Sequence, residues 1–255
     1  MRVLVTFAVD AEFAPWRKLR KFRRLSANEN RAAHFVSRTE GAQPLEIAVL
    51  LTGIGEATAL KAVETSRFLG DMKPHLLISS GFAGGLKPEF TAGAIIAPEK
   101  TRTLKNHINI DSDVLAREVA LRFGAAPIQH LITVDRLVKT AEEKSRLAFF
   151  GEAVDMESAI VMSRFAREGI PVLALRAISD VSGEDLPLDF DRCLTPHGAI
   201  KPLNLVNQIV RRPGNLPEIM RFGKQSLEAG QKMAQFLEKF LGSVPVLFDE
   251  RLAHA

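Results

Sequence analysis

Apolar positions in this chain follow two rhythms. Residues 2–9 and 45–51 are β-rich apolar runs, and His75-Leu76-Leu77-Ile78-Ser79 is a shorter run between Pro74 and Gly81; all three predict buried strands. Between the second and third, Ile54, Ala57, Thr58, Leu60, Ala62, Val63 and Leu69 keep helical spacing, entered through Gly53-Ile54-Gly55 and left through Gly70. This predicts a strand, a glycine turn, a helix and a strand. Further on, 94–97 and 128–134 predict strands, while 112–123, 140–149 and 156–168 predict helices with one charged face. Val172-Leu173-Ala174-Leu175-Arg176-Ala177-Ile178 has the unbroken apolar character of a central strand covered on both faces. The alternation gives an α/β class and one domain over residues 1–242.

After Asp180 the rhythm stops. Ser182-Gly183-Glu184-Asp185-Leu186-Pro187 and Thr195-Pro196-His197-Gly198 predict a long irregular loop able to close over a substrate. Helical periodicity returns at 199–210, breaks at Arg211-Arg212-Pro213-Gly214 and resumes over 217–241. Residues 243–255 then read as a peripheral C-terminal tail.

Composition narrows the class of protein. Of 255 residues, 46% are hydrophobic and 25% charged, and no apolar stretch reaches the ~18 residues of a membrane span. The first apolar run meets Asp10 and Glu12 too soon for a signal peptide, and the lone Cys193 forms no internal disulfide. A soluble, cytoplasmic protein is expected. A net charge of +4 with no recognition motif does not point to nucleic acid. Arg17, Lys18, Arg20, Lys21, Arg23 and Arg24 interleave with Trp16, Leu19, Phe22 and Leu25 at helical spacing. This predicts a basic amphipathic helix, read first as a solvated face and alternatively as a peripheral membrane contact. The six histidines show no metal-ligand spacing, so no metal is expected. Gly53-Ile54-Gly55 lacks both the third glycine of a dinucleotide fingerprint and the lysine of a P-loop, so no cofactor is expected either.

Three carboxylates lie beside predicted strand ends, where α/β folds open their crevices. Glu157, after Val154-Asp155-Met156, opens a helix whose positive end favours an ionised carboxylate able to take hydrogen bonds from two ribose hydroxyls. Met156 offers a polarisable contact for the sugar face. Asp180, at the end of Arg176-Ala177-Ile178-Ser179-Asp180, lies where partial burial disfavours its charge and suits it to protonating a departing base. Glu12 can orient or deprotonate a water. Each also has an ordinary reading: Glu12 and Glu157 as first-turn acids, Asp180 as a turn cap. Ser79-Ser80-Gly81-Phe82-Ala83-Gly84-Gly85-Leu86 reads alone as a tight turn, and in this company as a binding loop.

Taken in order, Ala8 to Glu12, Thr52-Gly53-Ile54-Gly55, Gly81 to Leu86, Val154 to Glu157 and Arg176 to Asp180 resemble the purine nucleoside phosphorylase and nucleosidase superfamily, particularly methylthioadenosine/S-adenosylhomocysteine nucleosidases. The resemblance covers about residues 2–180. It implies a nucleoside phosphorylase-like fold with a twisted mixed sheet flanked by helices, and a homo-oligomer, with a dimer preferred. It also implies water activation by Glu12, ribose binding by Met156 and Glu157, and base protonation by Asp180. Phe82, Ala83, Gly84, Val154 and Ser179 complete the expected substrate-binding set. The chain departs from the nucleosidases at Phe82, where they commonly have serine, and at Asp135-Arg136-Leu137-Val138, which replaces an aromatic base-contacting segment and leaves Arg136 unexplained. With Arg211-Arg212-Pro213-Gly214-Asn215-Leu216-Pro217, these departures are similar to the hopanoid-associated phosphorylases, which implies an adenosylhopane-like substrate.

The expected substrate is therefore an adenine nucleoside with a 5′ substituent. Glu12 favours water as the acceptor, because the Gly-Asp-Pro pattern of the phosphorylases after the first strand is absent and no arginine precedes the glycine cluster. Phosphate as acceptor is the runner-up. A non-catalytic nucleoside- or lipid-binding protein is the alternative of another class.

Overall fold

The computed structural model describes residues 1–25, 33–40, 44–70, 72–105, 107–190, 195 and 213–253. Among these are ten strands and six α-helices. β1 (Arg2–Phe7) lies between β4 (Leu45–Leu51) and β5 (Leu76–Gly85), parallel to both. It is buried on both faces: Val3, Val5 and Phe7 enter one core and Leu4 the other, which is why this segment reads as an apolar run without alternation. β3 (His34–Thr39) and β2 (Arg23–Leu25) extend the sheet antiparallel beyond β4.

β5 carries a second set of pairings. Its far half meets β9 (Ala153–Asp155) on one side and β10 (Val172–Asp180) on the other. β10 continues to β6 (Ile95–Thr103), β6 to β8 (Ala126–Thr133), and β8 returns to β9. These five strands close a ring, and β7 (Asn109–Asp111) hangs from β6. The branch falls at Gly81, between the stretch that pairs β1 (Leu76–Ser79) and the Gly84-Gly85 stretch that pairs β9. Gly81 has φ of +138°, and a Cβ there would stand 2.5 Å from Arg176 Nη1 and 2.7 Å from Glu12 Oε1. Only glycine fits that approach.

One core packs α1 (Asp10–Leu19), α3 (Val114–Arg122) and α6 (Leu216–Ala253) on one face of the sheet, through Phe13, Trp16, Val119, Met233, Leu237 and Phe240. The opposite core holds α2 (Glu56–Glu64) and α5 (Ser158–Ala166), through Ala59, Val63, Val161, Met162 and Phe165. α4 (Ala141–Leu147) lies at the rim beside a small cluster of Leu86, Val138 and Val154. No helix among the described residues is long and apolar enough to cross a membrane.

The structure corrects three expectations. The glycine cluster is the end of β5 itself, extended backbone and not a turn. α6 does not stop near residue 241 but runs to Ala253, with Val244 in the core. The basic segment is not one helix: α1 ends at Leu19 and Arg23–Leu25 is a strand. Phe22 folds back so that its ring centroid lies 5.0 Å from those of both Phe13 and Trp16, and that aromatic packing outweighs the local helical spacing. Arg17 pairs with Asp10, and Arg20 with Glu238 of α6. The predicted helix at 199–210 and Cys193 lie outside the described residues.

Candidate active site

A cavity of about 660 Å³ opens where β1, β5, β9 and β10 end, within the ordinary size range of small-molecule sites. Every residue assigned a catalytic or substrate-binding place from the sequence lines it: Glu12, Phe82, Ala83, Gly84, Val154, Met156, Glu157, Ser179 and Asp180.

Glu12 comes from the first turn of α1, directly after β1. Its Oε2 accepts the Ala8 and Val9 N–H groups at 2.9 and 3.2 Å, and its Oε1 accepts Phe82 N–H at 2.8 Å. The side chain thus caps its own helix while remaining at the cavity wall. Burial pushes its pKa above the usual carboxylate range, against the opposing pull of Arg176 and those three N–H groups.

Glu157 is the N-cap of α5 and is 7% exposed. Gly55 N–H, from the glycine turn before α2, donates to its Oε1 at 2.8 Å. The helix end was expected to favour the ionised form. Burial wins instead, reinforced by the neighbouring Asp155 carboxylate, and pushes the pKa up to about 8.

Behind these carboxylates lies a polar layer whose partnerships the sequence pattern did not disclose. Arg176, 2% exposed, pairs through Nη2 with Asp155 Oδ2 at 2.8 Å. It also donates to Ser158 Oγ, Ser79 Oγ and the Ser80 carbonyl. Asp155 Oδ1 accepts the Thr133 hydroxyl at 2.6 Å, and its Oδ2 accepts Ser158 N–H at 3.2 Å. The two serines before the glycines are therefore part of the site's scaffold: Ser79 through its hydroxyl, Ser80 through its carbonyl.

Asp180 ends β10. Ser179 Oγ donates to its Oδ1 at 2.7 Å, and the ammonium of Lys144 stands 2.7 Å from its Oδ2. The remaining lining, which forms the upper wall, is mostly apolar: Ile54, Val134, Leu137, Val138, Leu186, Phe190 and Phe222. Phe190 and Phe222 pack with centroids 5.2 Å apart, joining the loop after β10 to α6. Arg136, unexplained from the sequence, borders the cavity and donates to Glu143 at 2.7 Å. Phe82 packs toward α6, where a Cβ on Gly230 would lie 3.5 Å from its ring.

The fold and cavity define an α/β protein with a carboxylate-lined small-molecule crevice at its strand ends. The chain belongs to the Phosphorylase superfamily, whose family model matches residues 3–211. A 5′-methylthioadenosine/S-adenosylhomocysteine nucleosidase of Bacillus pumilus is 27% identical over 199 residues, 66% of this chain and 81% of the relative. One from Lysinibacillus sphaericus is 26% identical over 179 residues, 58% and 74% of the two chains. Among solved structures, the nucleosidase of Helicobacter pylori with butyl-thio-DADMe-Immucillin-A superposes with a TM-score of 0.69 at 18% identity, covering 95% of this chain and 98% of the other. A futalosine hydrolase mutant from the same organism gives 0.66 at 17% identity, covering 95% and 99%. At such identities the structural likeness establishes the shared fold.

Proposed function

We propose that the protein hydrolyses the N-glycosidic bond of an adenine nucleoside bearing a 5′ substituent, as the names of its nucleosidase relatives suggest. The observation that carries this reading is the convergence of Glu12, Glu157 and Asp180 on one cavity from three different strand ends. A water bound at Glu12 attacks C1′ and gives a proton to that carboxylate, which burial makes a stronger base than an ordinary surface glutamate. Glu157 holds the ribose hydroxyls, with Met156 against the sugar face. As the C1′–N9 bond breaks, its electron pair passes into the purine and Asp180 protonates N7. The products are free adenine and the free sugar.

Water is favoured over phosphate by the fate of the cations. Among the described residues at the crevice, Arg136 is committed to Glu143, Arg176 to Asp155 and Lys144 to Asp180, whereas an incoming phosphate needs donors of its own. The apolar upper wall suits an apolar 5′ group, from methylthio to the hopane expected from the sequence resemblance. The deciding assay is adenine release from methylthioadenosine, adenosylhomocysteine, adenosine and adenosylhopane, each with and without phosphate. Release in phosphate-free buffer, abolished by Glu12→Gln, is expected. Absolute dependence on phosphate with a sugar 1-phosphate product would replace hydrolysis by phosphorolysis, and no release from any of the four would favour a binding protein.

A further inference from the structure

Lys144 has no exposed surface, a rare state for lysine. Its three ammonium hydrogens meet three acceptors: Asp180 Oδ2 at 2.7 Å, the Val181 carbonyl at 2.7 Å and the Glu184 carbonyl at 2.8 Å. All three lie at the end of β10 or in the stretch that leaves it. The same stretch is fastened to the chain just before Lys144, by Ala141 N–H, at the start of α4, to Asp185 Oδ1 at 2.7 Å and by Leu186 N–H to the Lys139 carbonyl at 2.8 Å. With Ser179 on Oδ1 and Lys144 on Oδ2, both oxygens of Asp180 are held in place at the cavity wall.

Packing alone does not call for a cation there. Burying an ammonium carries a desolvation penalty, and an apolar side chain of similar volume is often as stable or more so. What the charge adds is electrostatic, and it is aimed at one carboxyl group. We propose that Lys144 is a positioning residue for base departure, an inference that rests on the general-acid reading of Asp180. Its ammonium fixes the Asp180 carboxyl at the crevice and stabilises the negative charge left there when the proton moves to the purine. The step balances: Asp180 takes up a proton from solvent as the nucleoside binds, its O–H bond then breaks as an N7–H bond forms, and the C1′–N9 electron pair enters the purine ring. The carboxylate charge remains beside Lys144, which keeps its own protons. Preorganised charge of this kind acts on the transition state more than on binding.

The test is a double-mutant cycle on 5′-methylthioadenosine, with thermal melting to verify folding. Lys144→Met is expected to lower kcat on the order of 10²-fold with KM within about threefold. Lys144→Arg keeps the charge but not the three-pronged geometry, so its kcat should lie between Lys144→Met and wild type. In an Asp180→Asn background, Lys144→Met should change kcat by less than about threefold, because the group it serves has gone. If Lys144→Met does not fold, Lys144→Arg takes its place in the cycle, with a loss of kcat expected only where Asp180 is present. Wild-type kcat in the lysine variant, or an equal loss in both backgrounds, overturns the proposal. Wild-type turnover by Asp180→Asn alone would instead overturn the general-acid reading, and the role of Lys144 with it.

Discussion

Asp155 and Glu157 are two residues apart, yet their charges are handled differently. Arg176 Nη2 lies 2.8 Å from Asp155 Oδ2, whereas the hydrogen bond to Glu157 comes from the neutral Gly55 N–H at 2.8 Å. Asp155 shares the cation with its scaffold, and Glu157 is left to burial.

That difference predicts how stability responds to pH. A carboxyl raised from 4.5 to about 8 on folding binds more protons in the native than in the unfolded state between those values. Its stabilising contribution is complete below about pH 4.5 and is lost as pH rises through about 8. Glu12 acts in the same direction. The unfolding free energy of the ligand-free protein, from urea titrations, should therefore fall by about a few kcal/mol from pH 5 to pH 8.5, and the urea midpoint with it. Glu157→Gln should flatten most of that slope, leaving the part due to Glu12. A midpoint that rises over this range would contradict the assignment.

Asp180→Asn should bind nucleoside with little change in affinity, because an amide still hydrogen-bonds N7. Turnover should fall on the order of 10²–10⁴-fold for loss of a general acid. Equilibrium binding of a non-hydrolysable adenine nucleoside analogue, set beside single-turnover kinetics, separates the two effects.

Glu157→Gln also bears on the sugar. If the carboxyl grips the ribose hydroxyls, wild type should prefer a riboside over its 2′-deoxy analogue and the variant should lose much of that preference. The ratio of kcat/KM values for the two substrates measures it directly, and an unchanged ratio would remove Glu157 from the sugar site.

Gly81→Ala introduces a Cβ into a position with φ of +138°, 2.5 Å from Arg176 Nη1 and 2.7 Å from Glu12 Oε1. Backbone strain alone costs about 1–3 kcal/mol, and displacement of the two charged side chains should reduce activity as well. Chemical denaturation and kcat/KM are expected to fall together, since one glycine serves the branch of the sheet and the seat of Glu12.

Arg176→Met should destabilise by about 3–5 kcal/mol, because it leaves Asp155 buried without its cation. Asp155→Asn in the same chain should restore part of the loss, and the double mutant compared by urea denaturation with each single variant tests this.

The sequence disclosed the parts of the fold that are buried on both faces and the site residues that stand at their ends. β1, β4 and β10 read as apolar runs, so Glu12 is legible as an acid that follows β1 and Asp180 as the acid that ends β10. β2, β7 and β9 are three residues each, too short to establish a period, and β3 mixes buried and exposed positions. Lys144 was not legible because it sits in Glu142-Glu143-Lys144, where nothing marks one charge as buried and its neighbours as exposed. The basic segment misled for the converse reason. Trp16, Leu19 and Phe22 have helical spacing, but Phe22 reaches Trp16 by a turn of the chain while Leu19 points to solvent.

Gly84 has Val154 of β9 on one side and Asp180 of β10 on the other. A single backbone position therefore acts as a ruler between the place proposed for the sugar and the place proposed for the base. Its length is set by sheet pairing, so it does not drift when side chains change. The apolar upper wall is built differently, partly from the segment after β10 and from α6, through Leu186, Phe190 and Phe222. Exchange of those residues can alter what hangs from the nucleoside without touching the gauge between its two halves. On such a frame, new substrates can evolve one wall at a time.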